Sequence, residues 1–205
     1  MVDMYLIAGL LACTGVAILA ATIRSDFTSK LDKRLLAWVH ARLPSGSSRA
    51  RKKIDISMRD LTALGGDTFS GLVLLFGVLI LARGGSGELV TALAAIMVGA
   101  RIIGLALKQL LKRERPPAQG HAVETFTSSF PSVHTEMGFV SSFAIASFLT
   151  AGDAAYLTCL LIAGSVSAVI GFTRLHFSVH WPSDVLAGWL LGLGICSSSI
   201  FFLTV

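Results

Sequence analysis

Six apolar stretches, at about 4–23, 64–82, 89–107, 134–151, 156–173 and 184–204, decide what this chain can fold into. Each approaches the roughly 20 residues a helix needs to cross the hydrocarbon of a bilayer. Backbone polar groups in lipid must be satisfied internally, and a helix does this within one segment. The expectation is an all-α integral membrane protein, a bundle of six transmembrane helices. Of the 205 residues, 54% are hydrophobic and 14% charged, against about 45–50% and about 25% in soluble domains. Six spans use more than half of such a chain, so it reads as one membrane-embedded domain over 1–205 with no separate soluble domain. The first stretch lacks the basic flank of a secretory signal and is read as a retained helix.

Charge is concentrated. Ten of the seventeen Lys and Arg residues fall between Arg24 and Arg59, within a basic segment at 24–60 that joins the first two spans. From Asp26 to Leu43, helical spacing puts Phe27, Leu31, Leu35, Trp38 and Val39 on one face, with Lys30, Lys33, Arg34 and Arg42 largely opposite. This predicts a helix lying in the membrane interface. A loop follows at Pro44, Ser45, Gly46, Ser47 and Ser48, then a second amphipathic stretch around Ile54, Met58 and Leu61. The net charge of +5 therefore points to anionic lipid headgroups rather than nucleic acid. Cys13, Cys159 and Cys196 all lie in apolar stretches without ligand spacing, which argues against both a disulfide framework and a zinc site.

Three polar clusters sit at the ends of spans, where charge is costly unless it has a function. Lys108, Arg115 and Pro116 close the third span; Pro131, Ser132 and His134 open the fourth; Arg174, His180 and Asp184 bridge the fifth and sixth. Counting crossings, all three clusters fall on one membrane face, so they can form one site. Lys108, Arg115 and Arg174 supply three cations and Ser132 a hydroxyl, a set of donors suited to phosphate. Pro131 and Pro182 suit first helical turns, so backbone N–H groups near Ser132, Val133, His134 and Ser183 are expected to face the anion as well. Two histidines in an anion pocket suggest a nucleophile and a general acid. Asp184, four residues after His180, is placed to hold one ring N–H and free the other nitrogen for attack; His134 has no such neighbour and is the better proton donor.

The pattern K-x6-RP, PS-x-H and R-x5-H-x3-D resembles the three-part signature of the type 2 phosphatidic acid phosphatase superfamily, which also holds bacterial acid phosphatases and vanadium haloperoxidases. Here it falls on Lys108, Arg115, Pro116, Pro131, Ser132, His134, Arg174, His180 and Asp184, and the likeness extends over about 61–200, including HWPSDVLAGWLLG. The resemblance implies catalysis by His180, His134 and Asp184. His180 would form a phosphohistidine, Asp184 would orient it and His134 would protonate the leaving group. It implies phosphate binding by Lys108, Arg115, Ser132, Val133 and Arg174, with no metal and no cofactor. Val133 stands where the family usually has Gly, which narrows the approach, and Thr173 stands where it usually has Ser, which keeps a hydroxyl.

The expected activity is hydrolysis of a lipid phosphate or pyrophosphate, with membrane lipids as surroundings and no obligatory protein partner. A lipid phosphotransferase using the same phosphohistidine is the alternative. A vanadate haloperoxidase is disfavoured because those proteins are large and soluble, and a non-catalytic transporter would tolerate loss of His180. No clustered carboxylates suggest a two-metal phosphatase. Lys112 and Arg113 read as basic side chains snorkelling to the interface and are left outside the site. Arg101, within the third span, reads either as a functional cation or as part of a structural ion pair, with Glu136 as its candidate partner and Asp67 as a third member of the network. His176 is expected at the site mouth, and His40 and His121 at the surface. The resemblance places the active face outside the cytoplasm of a bacterial inner membrane. The loops on that face carry fifteen Lys and Arg against Arg83 alone opposite, which by the positive-inside rule favours the cytoplasm. The family orientation is adopted because interfacial helices hold their charges for headgroups.

Overall fold

The computed structural model describes residues 2–43, 48–117, 127–149 and 155–204, with side chains undescribed at 2, 3, 155 and 201–204. Among the described residues all regular structure is helical: α1 (Val2–Thr22), α2 (Asp26–His40), α3 (Arg49–Thr62), α4 (Asp67–Arg83), α5 (Gly87–Leu111), α6 (Val133–Leu149), α7 (Ala155–His176) and α8 (Pro182–Thr204). A 3₁₀ turn at Ala63–Gly65 joins α3 to α4.

Four helices are long and apolar enough to cross a membrane, at Met4–Thr22, Gly87–Leu111, Tyr156–His176 and Pro182–Ile200, and the pair α3–α4, bent by 43°, makes a fifth if it is one span. α6 is apolar but has seventeen residues, about 25 Å of helix, short of a hydrocarbon core of about 30 Å. Its role is central instead. α6 packs against α7, α8 and α5, while α1 lies along α8. The core runs through these helices, with Met97 of α5, Val133, Met137, Val140 and Phe143 of α6, Cys159 and Ala163 of α7, and Cys196 and Ile200 of α8. Outward faces of the bundle carry large apolar side chains, among them Leu10 and Leu11, Phe76 and Ile80, Ile102 and Leu110, and Leu161. Water would not tolerate such an exterior, and lipid does.

Two helix ends shape the polar face of the bundle. α5 stops at Lys112, which takes a left-handed conformation (φ 45°) and returns its N–H to the Lys108 carbonyl. α8 starts at Pro182, and Asp184 in its first turn reaches back to accept the Trp181 N–H at 2.8 Å, the reciprocal arm of a capping box. Gly188 lets α8 pass close to the start of α6, where an added Cβ would lie 2.6 Å from the Ser132 carbonyl oxygen.

α2 turns a different face inward from the one its large apolar residues suggest. Thr28, Asp32, Leu36 and Val39 are buried against the bundle, whereas Phe27, Leu31, Leu35 and Trp38 are exposed. Val39 thus belongs to the protein-facing stripe rather than to the outer face. Most of the loop at 44–48 lies outside the described residues, as does His121.

Candidate active site

The segment 127–132 is laced to 113–115, and this brings the ends of α5 and α6 together. Ser129 N–H donates to the Arg113 carbonyl at 2.9 Å, Ser129 Oγ to the Glu114 carbonyl at 3.0 Å, and Arg113 N–H to Ser128 Oγ at 2.9 Å. The α7–α8 loop joins them through Trp181 Nε1, which donates to the Glu114 carbonyl at 3.0 Å. All the sequence-expected site residues consequently meet at one end of the bundle.

Lys108 is buried and donates to the Ser128 carbonyl at 2.6 Å. Arg115 reaches across the site, donating from Nε to the Thr127 carbonyl at 2.8 Å and from Nη1 to the Val179 carbonyl at 2.6 Å. Partial burial holds its guanidinium below the ordinary value, with the Asp184 charge opposing that shift. Arg174, also buried, donates to Thr62 Oγ1 at 2.8 Å and leaves Nε without a partner among the described residues. His134 is half-buried beside Gly66, and it lies within electrostatic range of His180, Arg174 and Lys108. A cavity of about 410 Å³ meets this cluster only at Lys108, with Leu105, Arg113, Thr127 and Ser128 also in its wall.

His180 is buried, and burial pushes its imidazole down to about 4, with the Asp184 carboxylate pulling the other way and the Lys108 and Arg174 charges adding to the depression. Its Nδ1 faces Asp184 Oδ2 at 3.6 Å. That is alignment rather than the hydrogen bond expected from the four-residue spacing. Asp184 is already engaged: Oδ2 by the Trp181 N–H, and Oδ1 by Arg113 Nη1 at 2.6 Å.

Several expectations are corrected here. Two backbone donors assigned to the anion are occupied, since Ser132 N–H donates to the Asp184 carbonyl at 3.0 Å and Ser183 N–H to Asp32 Oδ1 at 2.9 Å. The Ser132 hydroxyl needs no such correction: it pairs with Thr135 Oγ1 at 2.8 Å, where either group can donate. The Val133 side chain packs in the main core against Gly104, so it does not narrow the approach as expected. The Thr173 hydroxyl bonds its own helix, at the Ile170 carbonyl, 2.7 Å away. Arg101 pairs with Asp67, the third member expected, at 2.6 Å rather than with Glu136, whose carboxylate is buried beside Gly104 with neither oxygen hydrogen-bonded among the described residues. His40 is not a free surface residue, because its ring bonds the Leu175 carbonyl at 3.0 Å. His176 is buried and ties α7 to α3 through Asp55 at 2.6 Å.

The match to the family model described as the PAP2 superfamily runs over residues 89–203. The chain belongs to the PAP2 superfamily. It is 40% identical over 73 residues to the undecaprenyl-diphosphatase of Sulfolobus acidocaldarius, covering 35% of this chain and 32% of that protein. It is 29% identical over 98 residues to phosphatidylglycerophosphatase B of Bacillus subtilis, covering 45% and 47%. The chain thus spans about a third and about half the length of these two relatives. Its fold is that of the transmembrane PAP2 type phosphatidylglycerolphosphate phosphatase from Bacillus subtilis, with a TM-score of 0.78, 23% identity and 96% of both chains covered. Aquifex aeolicus LpxE is similar with a TM-score of 0.58 at 25% identity, over 83% of this chain and 94% of that one. This PAP2 protein is accordingly an integral membrane protein.

Two residues at the PAP2 site escaped the sequence reading. Arg113, set aside as a snorkelling cation, has only 9% of its side chain exposed and contacts both Asp184 and Asp32. Lys112, its neighbour, is exposed as that reading requires. Nothing in the run KRER separates the two. Asp32 lies on α2, outside the PAP2 match, and its signal was the spacing Thr28, Asp32, Leu36, Val39, a helical stripe in which an acid stands among inward residues.

Proposed function

We propose that this protein removes phosphate from a lipid phosphate or pyrophosphate at the membrane surface, through a phosphohistidine on His180. The observation that carries the reading is the seating of His180, buried and held neutral, with Nδ1 turned to Asp184 Oδ2 at 3.6 Å. That orientation leaves Nε2 with a free lone pair. Nε2 attacks phosphorus, a P–N bond forms as the P–O bond to the lipid breaks, and His134 gives its proton to the departing oxygen. Water then attacks the phosphorus and loses a proton to His134. The P–N bond breaks, inorganic phosphate leaves and neutral His180 is restored. Lys108, Arg115 and Arg174 hold the phosphoryl oxygens, exchanging their present carbonyl and hydroxyl partners for them, with the Ser132 hydroxyl and the Val133 N–H completing the cradle. The reaction needs no metal, because three cations already supply the charge that stabilises the transition state.

In the membrane we read six crossings, with α3–α4 as one bent span and α6 as a short central one. α2 lies in the interface with Phe27, Leu31, Leu35 and Trp38 towards lipid. The active face is placed outside the cytoplasm of a bacterial inner membrane. Labelling of Ser47→Cys in a cysteine-free background only from the cytoplasmic side would reverse that orientation.

The relatives' names suggest the substrates to try first: undecaprenyl diphosphate and phosphatidylglycerophosphate, with phosphatidate alongside. The deciding experiment measures phosphate release from this panel by purified protein in mild detergent with EDTA present, for wild type and His180→Ala. Release by the wild type alone supports the reading. Activity lost to EDTA and restored by magnesium would overturn the metal-free mechanism, and transfer to an acceptor lipid without free phosphate would make the enzyme a phosphotransferase.

A further inference from the structure

We propose that Arg113 and Asp32 are positioning residues that together fix the Asp184 carboxylate, and through it His180, so that helix α2 is built into the catalytic geometry. The proposal rests on the phosphohistidine reading above. Arg113 stands between two buried carboxylates, with Nη1 2.6 Å from Asp184 Oδ1 and Nη2 2.6 Å from Asp32 Oδ2. Nη1 also reaches Ser183 Oγ at 2.7 Å. Asp32 closes the ring by accepting the Ser183 N–H at Oδ1, 2.9 Å, and the Ser183 hydroxyl at Oδ2, 2.6 Å. The anion at the N-terminus of α8 is therefore a carboxylate of α2, in the place the sequence reading had given to phosphate.

The consequence for His180 follows from the lone pairs of Asp184. With Oδ1 engaged by Arg113 and one lone pair of Oδ2 by the Trp181 N–H, the remaining lone pair of Oδ2 is the one directed at the ring. Arg113 thus sets the rotation of the carboxylate, and the Trp181 ring, 5.9 Å from the guanidinium carbon, covers it. Only a planar, forked cation spans both acids at once; a lysine offers a point charge and can serve one of them well. Both residues have their polar atoms engaged with each other, with Ser183 and, for Arg113, with Asp184, so they reach His180 through Asp184.

The test uses the full chain in detergent, with Arg113→Ala, Arg113→Lys and Asp32→Asn assayed for phosphate release. Arg113→Ala and Asp32→Asn are expected to lose about 10- to 100-fold in kcat, the scale of a misplaced reacting group, with KM within about threefold of wild type. Arg113→Lys falls between them and wild type. Guanidinium ion added at millimolar concentration restores part of kcat to Arg113→Ala and none to His180→Ala. A purely structural role predicts loss of folded protein without that rescue. If Arg113→Ala does not fold, kcat of Arg113→Lys and Asp32→Asn decides. Values within twofold of wild type, or a loss confined to KM, overturn the proposal. An active wild type with silent His180→Ala and unaffected clamp variants sinks this inference alone, whereas an active His180→Ala sinks the phosphohistidine reading beneath it.

Discussion

Gly188→Ala is the smallest change that should separate the two halves of the site. An added Cβ would lie 2.6 Å from the Ser132 carbonyl oxygen, 3.0 Å from Thr135 Cβ and 3.3 Å from the Glu136 amide nitrogen. The first of these is backbone and has no rotamer through which to escape. Ordinary contact begins near 3.4 Å, so α8 and the start of α6 must part by about 0.8 Å. Overpacking of this kind costs about 1–3 kcal/mol, which a bundle with so extensive a core should survive. The site is less tolerant, because the same crossing carries the bond from Ser132 N–H to the Asp184 carbonyl at 3.0 Å. It thereby fixes the second cluster against the third. A displacement near 1 Å at reacting groups costs about 100-fold in rate, so kcat should fall at least tenfold while the protein stays folded. The assay is phosphate release from the preferred lipid, with thermal unfolding followed in parallel. Gly99→Ala, where nothing lies within 4 Å of the added carbon, is the control and should be silent in both. Wild-type kcat in Gly188→Ala would refute the idea that the α6–α8 crossing sets the site.

His180 should titrate near pH 4 in the free enzyme rather than near 6.5, since burial disfavours the imidazolium. Its folded value is depressed, so the stability it contributes is complete above about 6.5 and is lost as pH falls through about 4. Histidine NMR with the resonance assigned by His180→Gln would show this, and a midpoint near 6.5 would contradict the burial. Arg101 lies within an apolar span and bonds Asp67 at 2.6 Å, so removing one partner leaves a charge without water to screen it, at a cost of about 3–5 kcal/mol. Asp67→Asn should therefore lower the unfolding temperature while the folded enzyme keeps kcat within twofold of wild type, and a larger fall in kcat would place this pair in the function. Asp55→Ala removes the acceptor of both His176 and Arg51 and should loosen α3 from α7. Proteolysis within α3 should then be faster than in wild type, and an unchanged cleavage rate would show that the contact does not hold α3.

The sequence was most legible where solvent chemistry left one solution. Long apolar runs have to be helices in lipid, and the polar residues at their ends, Lys108, Arg115, Ser132, His134, Arg174, His180 and Asp184, meet at one end of the bundle. It was least legible where tertiary partners compete for the same atoms. The backbone donors of Ser132 and Ser183 looked free because helix N-termini leave N–H groups over, yet Asp184 and Asp32 fill them. Arg101, Glu136 and Asp67 read as one ionic network, but only Asp67, at the start of α4, reaches Arg101 among the described residues. In α2 the bulk of Phe27, Leu31, Leu35 and Trp38 dominates the apolar pattern and conceals the Thr28–Asp32–Leu36–Val39 stripe that meets the bundle.

These misreadings share a physical cause. A motif records residues that touch the reacting group, and those are constrained in type by the chemistry. The residues that hold them are constrained only by what they meet across the fold. Arg113 sits two positions from Arg115, in a run of charge where any cation would satisfy an interface. Only the arrival of Asp32 from α2 and Asp184 from α8 distinguishes it from Lys112, which meets neither and stays exposed. A largely enclosed guanidinium between two buried acids cannot be replaced by solvent, so losing it leaves both carboxylates uncompensated. The basic segment before the second apolar run, read as a lipid-facing appendage, thus contributes through Asp32 to the electrostatics of the site itself.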